Sequence, residues 1–144
     1  MTRKSIDATL ESKVRNWAKH RCSYCLLEQK YAGGFTLEIE HILPVQKGGL
    51  DVEENLALSC KWCNLSKGTK INGTHPATDQ IVRLFNPRSD NWLDHFRWAT
   101  DKVTLEGKTD IGQTTVSALN MNRPLALTVR RNWVIAGWHP PKSP

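Results

Sequence analysis

Apolar residues recur at a helical spacing near the start of the chain. Ile6, Leu10, Val14 and Trp17 fall on one stripe, with Lys13, Arg15 and Lys19 off it. The spacing predicts a helix over residues 7–20, entered through Ser5 or Asp7 as cap. At Phe35 the period changes to two: Phe35, Leu37 and Ile39 alternate with Thr36, Glu38 and Glu40, which predicts a strand ended by Leu43 and Pro44. Gly48 and Gly49 allow a tight loop, residues 51–54 fit one helical turn, and Leu56 to Ser59 form the returning segment. A short helix carrying Asn64, Ser66 and Lys67 is predicted to stop at Gly68.

The pattern then weakens. Residues 68–91, with Gly73, Pro76 and Pro87, read as loop. Alternation returns at residues 95–98 and 103–106, with Thr100, Asp101 and Lys102 between them, which predicts a hairpin. Ile111, Thr115, Ala118 and Leu119 fit a helix beginning at Asp110. A last helix, with Pro124 in its first turn, has an apolar stripe of Leu125, Val129, Trp133 and Ala136 and carries Arg123 and Arg130 on a different face. The tail from Trp138 reads as irregular. The fold class expected is α+β, with residues 1–72 as one unit and residues 73–144, a hairpin and two helices, as an extension packed on it.

Composition narrows the function. A length of 144 residues suits one domain, and a net charge of +6 favours an anionic partner, although a solvated basic surface accounts for the same excess. No apolar leader follows Met1 and no apolar run reaches membrane-spanning length. A cytoplasmic protein without membrane contact is expected, in a compartment where cysteines stay reduced.

The four cysteines form two Cys-x-x-Cys pairs, Cys22 with Cys25 and Cys60 with Cys63. Two such pairs supply the four thiolates of a closed, tetrahedral structural Zn²⁺ site. The competing readings are a redox pair, which usually comes singly and beside a βαβ pattern, and two disulfides. A zinc site would tie the two knuckles together and so position everything between them.

Between the knuckles stand Glu40 and His41, then Asn55, with Asn64 directly after the last cysteine. Hydrolysis of a phosphodiester needs a base to take a proton from water and a cation to neutralise the charge that grows on oxygen. His41, largely neutral at pH 7, fits the base; taken alone it reads first as a core histidine, and its place beside Glu40 and between the two knuckles favours the base. Glu40 and Asn64 offer hard oxygen ligands that suit Mg²⁺ or Mn²⁺, and Asn64 also fits a plain helix cap.

Taken together, Cys22 and Cys25, the run Glu40 to Pro44, Gly48 and Gly49, Asn55 and Leu56, Cys60, Cys63, Asn64 and Lys67 resemble an HNH endonuclease over about residues 20 to 70. The resemblance implies a ββα-metal core, an antiparallel hairpin and a helix around one catalytic divalent ion. By the same resemblance His41 is the general base with one ring nitrogen held by a backbone carbonyl, Asn55 braces the loop that orients it, and Glu40 and Asn64 are metal ligands. Asn64 stands where histidine is usual, which shifts preference from Zn²⁺ and Ni²⁺ toward Mg²⁺ or Mn²⁺. Glu40 stands where aspartate is commoner, one methylene longer in reach.

The partner implied is DNA, cut to 5′-phosphate and 3′-hydroxyl ends by a monomer or a homodimer. Lys67, Lys70, Arg123, Arg130 and Arg131 are candidate phosphate contacts or an ordinary solvated face. Six tryptophans are expected mostly in the core, Trp17, Trp98 and Trp133 among them. The alternative function is a zinc-stabilised nucleic-acid-binding module with an inactive site.

Overall fold

The computed structural model describes residues 6–144; Ser5, one of the two predicted caps, lies outside them. Helix α1 (Ala8–Trp17) is capped by Asp7, whose Oδ2 accepts from the Thr9 and Leu10 amides at 3.0 and 3.3 Å. Val14 on its predicted stripe is fully buried, and the helix packs on β2 (Leu56–Ser59). Trp17 departs from expectation. It is 38% exposed and carries the Arg88 guanidinium 3.6 Å above its ring, a cation–π contact at the surface rather than a core position.

Strand β1 (Glu38–His41) pairs antiparallel with β2, from Glu38 opposite Ser59 to His41 opposite Leu56. It is shorter than the alternation predicts, because Phe35 is exposed and contributes nothing to the core. All four residues of β2 are buried, so this strand forms the floor of the hairpin. A chain reversal at Gly49 joins the strands: a Cβ there would lie 1.7 Å from the Leu43 carbonyl oxygen, so only glycine fits. Helix α2 (Lys61–Lys67) follows, with the Cys60 sulfur capping it by accepting from the Cys63 amide, and ends at Gly68 as predicted.

Residues 68–91 correct the sequence reading. They contain a second hairpin, β3 (Asn72–Thr74) with β4 (Ile81–Arg83). Its three-residue strands, Asn-Gly-Thr and Ile-Val-Arg, carry no apolar–polar alternation in sequence, and Ile81 is 72% exposed. The hairpin instead packs on α4 (Asp110–Ala118) through Gly73, where an added Cβ would meet the Thr114 methyl at 2.9 Å. Tertiary packing sets this hairpin, and local periodicity does not record it.

After a short helix, α3 (Trp92–His95), the predicted hairpin appears as β5 (Phe96–Trp98) and β6 (Leu105–Gly107). Asn122 extends its edge, accepting from the Leu105 amide and donating to the Leu105 carbonyl, both at 2.8 Å. Helix α5 (Pro124–Ala136) closes the chain. The tail carries no regular element and folds back, stacking Trp138 on Tyr31 with ring centroids 4.4 Å apart.

One buried cluster runs from Cys22, Tyr24 and Leu58 through Phe85, Trp92 and Phe96 to Leu119 and Met121. The extension therefore shares its core with the two knuckles. The Trp92 indole N–H, donating to the Tyr24 carbonyl at 2.8 Å, is one of the ties. No helix of the described residues is long and apolar enough to cross a membrane.

Candidate active site and metal centre

The two knuckles bring four buried sulfurs together. The Sγ atoms of Cys22, Cys25, Cys60 and Cys63 all lie within 4.8 Å of one another, with Cys25 and Cys60 at 3.7 Å, and none is in a disulfide. A tetrahedral ion with metal–sulfur bonds of about 2.3 Å requires sulfurs roughly 3.8 Å apart, so the donor set fits such an ion. The Cys25 and Cys63 amides donate to the Cys22 and Cys60 sulfurs at 3.5 and 3.4 Å. Burial pushes the Cys22 thiol up, and hydrogen bonding among the sulfurs pushes Cys63 up and Cys60 down. Four sulfurs this close and this deeply buried suit a metal ion among them, which would hold them as thiolates.

The second cluster lies along the hairpin. His41 ends β1, and the loop behind it is braced by Asn55. The Asn55 Oδ1 accepts from the Leu43 amide at 2.8 Å, while its Nδ2 donates to the Leu43 and Leu50 carbonyls, each at 3.0 Å. Three bonds from one carboxamide hold both arms of the loop, the geometry expected of a brace. On the ring side, His41 Nε2 meets Asp51 Oδ1 at 2.7 Å, a partner the family resemblance does not name. From below, the Lys67 ammonium donates to the carbonyls of His41 and Ile42 at 3.2 and 3.1 Å.

Glu40 and Asn64 each have a partner across the seam between β1 and α2. Glu38 and Glu40 share one face of β1, and Asn64 and Lys67, three apart on α2, share the facing helix surface. The rungs of this seam pair Asn64 with Glu38, Nδ2 to Oε1 at 2.9 Å, and Lys67 with Glu40, Nζ to Oε1 at 2.6 Å. Glu40 also accepts from the Tyr24 hydroxyl through Oε2 at 2.8 Å. Both of its oxygens are therefore engaged, and its residue is only 3% exposed. Burial raises the Glu40 carboxyl above the usual range, opposed by Lys67 and by the Tyr24 hydrogen bond. Burial likewise raises Tyr24, reinforced by the Glu40 charge. The seam offers oxygen donors of the type a divalent ion takes, and at Glu40 such an ion would have to displace the Lys67 ammonium or the Tyr24 hydroxyl.

The basic residues divide. Lys67 is 2% exposed with its donors spent on Glu40 and two carbonyls, so it is withdrawn from the expected phosphate contacts. Arg130 is withdrawn for the same reason: it is 6% exposed and donates to the Val103 and Met121 carbonyls and to Asn122. Lys70 and Arg131 are exposed, and Arg123 is half-buried with its guanidinium 5.4 Å from the Trp62 ring centre. Among the other histidines, His75 accepts from the Ala77 and Thr78 amides, and His95 bonds Thr109, so both pin local structure. Sequence reasoning missed Tyr24, Glu38 and Asp51. Only Glu38 carried a signal, its two-residue spacing from Glu40 on a strand.

The profile of the HNH endonuclease family matches residues 22–70, the span that holds both knuckles, His41, Asn55 and Asn64. The chain is similar to a protein described as Septu protein PtuB of Bacillus thuringiensis, 33% identical over 112 residues. The match takes in 74% of this chain and spans 38% of that relative's length. No solved structure matches significantly. Residues 22–70 thus match an HNH endonuclease domain, the stretch that holds both knuckles and the β1–β2 hairpin.

Proposed function

We propose that this protein is a metal-dependent endonuclease that hydrolyses DNA phosphodiester bonds, with His41 as general base. The observation that carries the reading is His41 at the end of β1, backed by a loop that Asn55 ties through three hydrogen bonds, inside the span matched by the HNH profile. His41 takes the proton of the attacking water. Asn55 and Lys67 keep its backbone in place, so the imidazole enters the reaction already oriented. Glu40 and Asn64, with Glu38 beside the latter, supply the oxygen donors for Mg²⁺ or Mn²⁺. Such an ion, when bound, neutralises charge on the phosphoryl and leaving oxygens. Zn²⁺ in the four-cysteine site is structural, since four thiolates leave no open position. Lys70, Arg123 and Arg131 are the remaining phosphate contacts. Residues 1–72 act as the nuclease core and residues 73–144 as an extension sharing its interior.

The test is conversion of supercoiled plasmid by wild type and His41→Ala with Mg²⁺, Mn²⁺ or EDTA, with zinc content measured in parallel. Wild type should nick or linearise DNA only with the divalent ion, and His41→Ala should be inactive while keeping zinc. Equal activity of the two proteins overturns the role of His41. One observation favours a second reading, a zinc-stabilised nucleic-acid-binding module: both Glu40 oxygens are taken by Lys67 and Tyr24. DNA binding by both proteins without cutting under any condition would select it.

A further inference from the structure

Asp51 lies ten positions beyond His41 in sequence, across the loop between β1 and β2, and its Oδ1 sits 2.7 Å from His41 Nε2. A carboxylate can only accept, so Nε2 carries the hydrogen. In a neutral imidazole the basic lone pair then belongs to Nδ1. We propose that Asp51 is a positioning residue of the nuclease site: its carboxylate sets the tautomer and ring orientation of His41, making Nδ1 the nitrogen that takes the proton from water. This rests on the reading of His41 as general base.

Both members of the pair are mounted on held backbone. Lys67 fixes the His41 and Ile42 carbonyls from inside. Asn55 grips the Leu50 carbonyl, which belongs to the peptide bond entering Asp51, and ties it to Leu43. The close approach of Gly49 to the Leu43 carbonyl sets the loop path between these points. The separation is that of a charge-assisted hydrogen bond. With the Asp51 side chain 41% exposed and that of His41 18%, screening leaves the charge attraction small, and the effect of the contact is orientation. Glu53 and Glu54 stand in the same stretch of sequence, so geometry, not composition, selects Asp51.

The experiment compares wild type, Asp51→Asn, Asp51→Ala and Asp51→Glu, each zinc-loaded, full-length and labelled with ¹⁵N-histidine. Long-range ¹H–¹⁵N correlation spectra are recorded at a pH of about 8, above the ordinary histidine pKa of about 6.5, with His41→Ala to assign the ring. Wild type should show the Nε2–H tautomer at His41. Asp51→Asn and Asp51→Ala should show a mixture, and Asp51→Glu should recover much of the wild-type signal. In Mn²⁺-dependent plasmid nicking, kcat should fall about 10–100-fold in the first two variants with KM unchanged, the usual range for partners that orient a working side chain. Asp51 is exposed, so the variants should keep zinc and fold. A wild-type tautomer in Asp51→Ala overturns the proposal whether or not the protein cuts DNA. Failure of wild type to cut, with the tautomer shift present, leaves the pairing intact and refutes the nuclease reading instead.

Discussion

Lys67→Met tests whether α2 is locked to β1 by a buried charge. The ammonium sits 2.6 Å from Glu40, with side-chain exposures of 3% and 2%, and also serves the His41 and Ile42 carbonyls. Replacing it with methionine keeps the volume and strands the Glu40 carboxylate with only the Tyr24 hydroxyl. Breaking one side of a buried pair costs about 3–5 kcal/mol. The two carbonyls lose their donor for roughly 1 kcal/mol each. A domain of this size holds only about 5–15 kcal/mol in total, so the variant should sit near the edge of folding. Adding Glu40→Gln should restore most of the pair term, because a carboxamide still accepts from Tyr24 and carries no charge to strand. The carbonyl loss should persist. Urea titration followed by tryptophan fluorescence, at saturating zinc, should rank wild type above the double variant and the double variant above Lys67→Met. A single variant within about 1 kcal/mol of wild type, or a double variant no better than the single, would refute the reasoning.

Three further outcomes are expected. Stripping the four-cysteine site with a strong chelator, or Cys63→Ser, should unfold the stretch from Cys22 to Cys63 and expose its amides, measured by hydrogen exchange. Asn55→Ala should cost about 2–3 kcal/mol for its three hydrogen bonds in denaturant melts, and nicking should fall further than the unfolded fraction accounts for. His139 is pushed down to about 4 from 6.5 by burial and then by the Arg130 charge, so the unfolded chain takes up the proton first. Stability from that site is full above pH 6.5 and is lost as pH falls toward 4, by up to roughly 3 kcal/mol; His139→Phe should flatten that part of the pH–stability curve in urea melts.

What was legible in the sequence is what local chemistry decides. Cysteine spacing placed four sulfurs around one point, Gly68 ended α2, and the run from Gly48 to Asn55 encoded a loop closed by a side-chain brace. What escaped depends on contacts between distant segments. The β3–β4 hairpin exists because Gly73 lets α4 come close, which leaves no periodicity to read. Arg123 and Arg130 looked like one solvated face because they stand two helical turns apart, yet Arg130 satisfies carbonyls of the preceding segment and is buried. The apolar stripe of α5 was equally ambiguous, since Leu125 on it is 55% exposed.

Lys67 is the most instructive of these residues. Sequence gives a lysine on a basic protein beside a nuclease-like motif, which reads equally as a phosphate contact or a solvated side chain. Only the seam between β1 and α2 shows its charge turned inward. That inward charge supports the backbone of β1, which a phosphate contact would not do. It holds the His41 carbonyl from one side while Asp51 holds the ring from the other. The placement of the His41 imidazole is therefore a property of a whole hairpin, helix and loop. His41 and its brace Asn55 can be read from the sequence; the Lys67 and Asp51 contacts that hold His41 are visible only once the chain is folded.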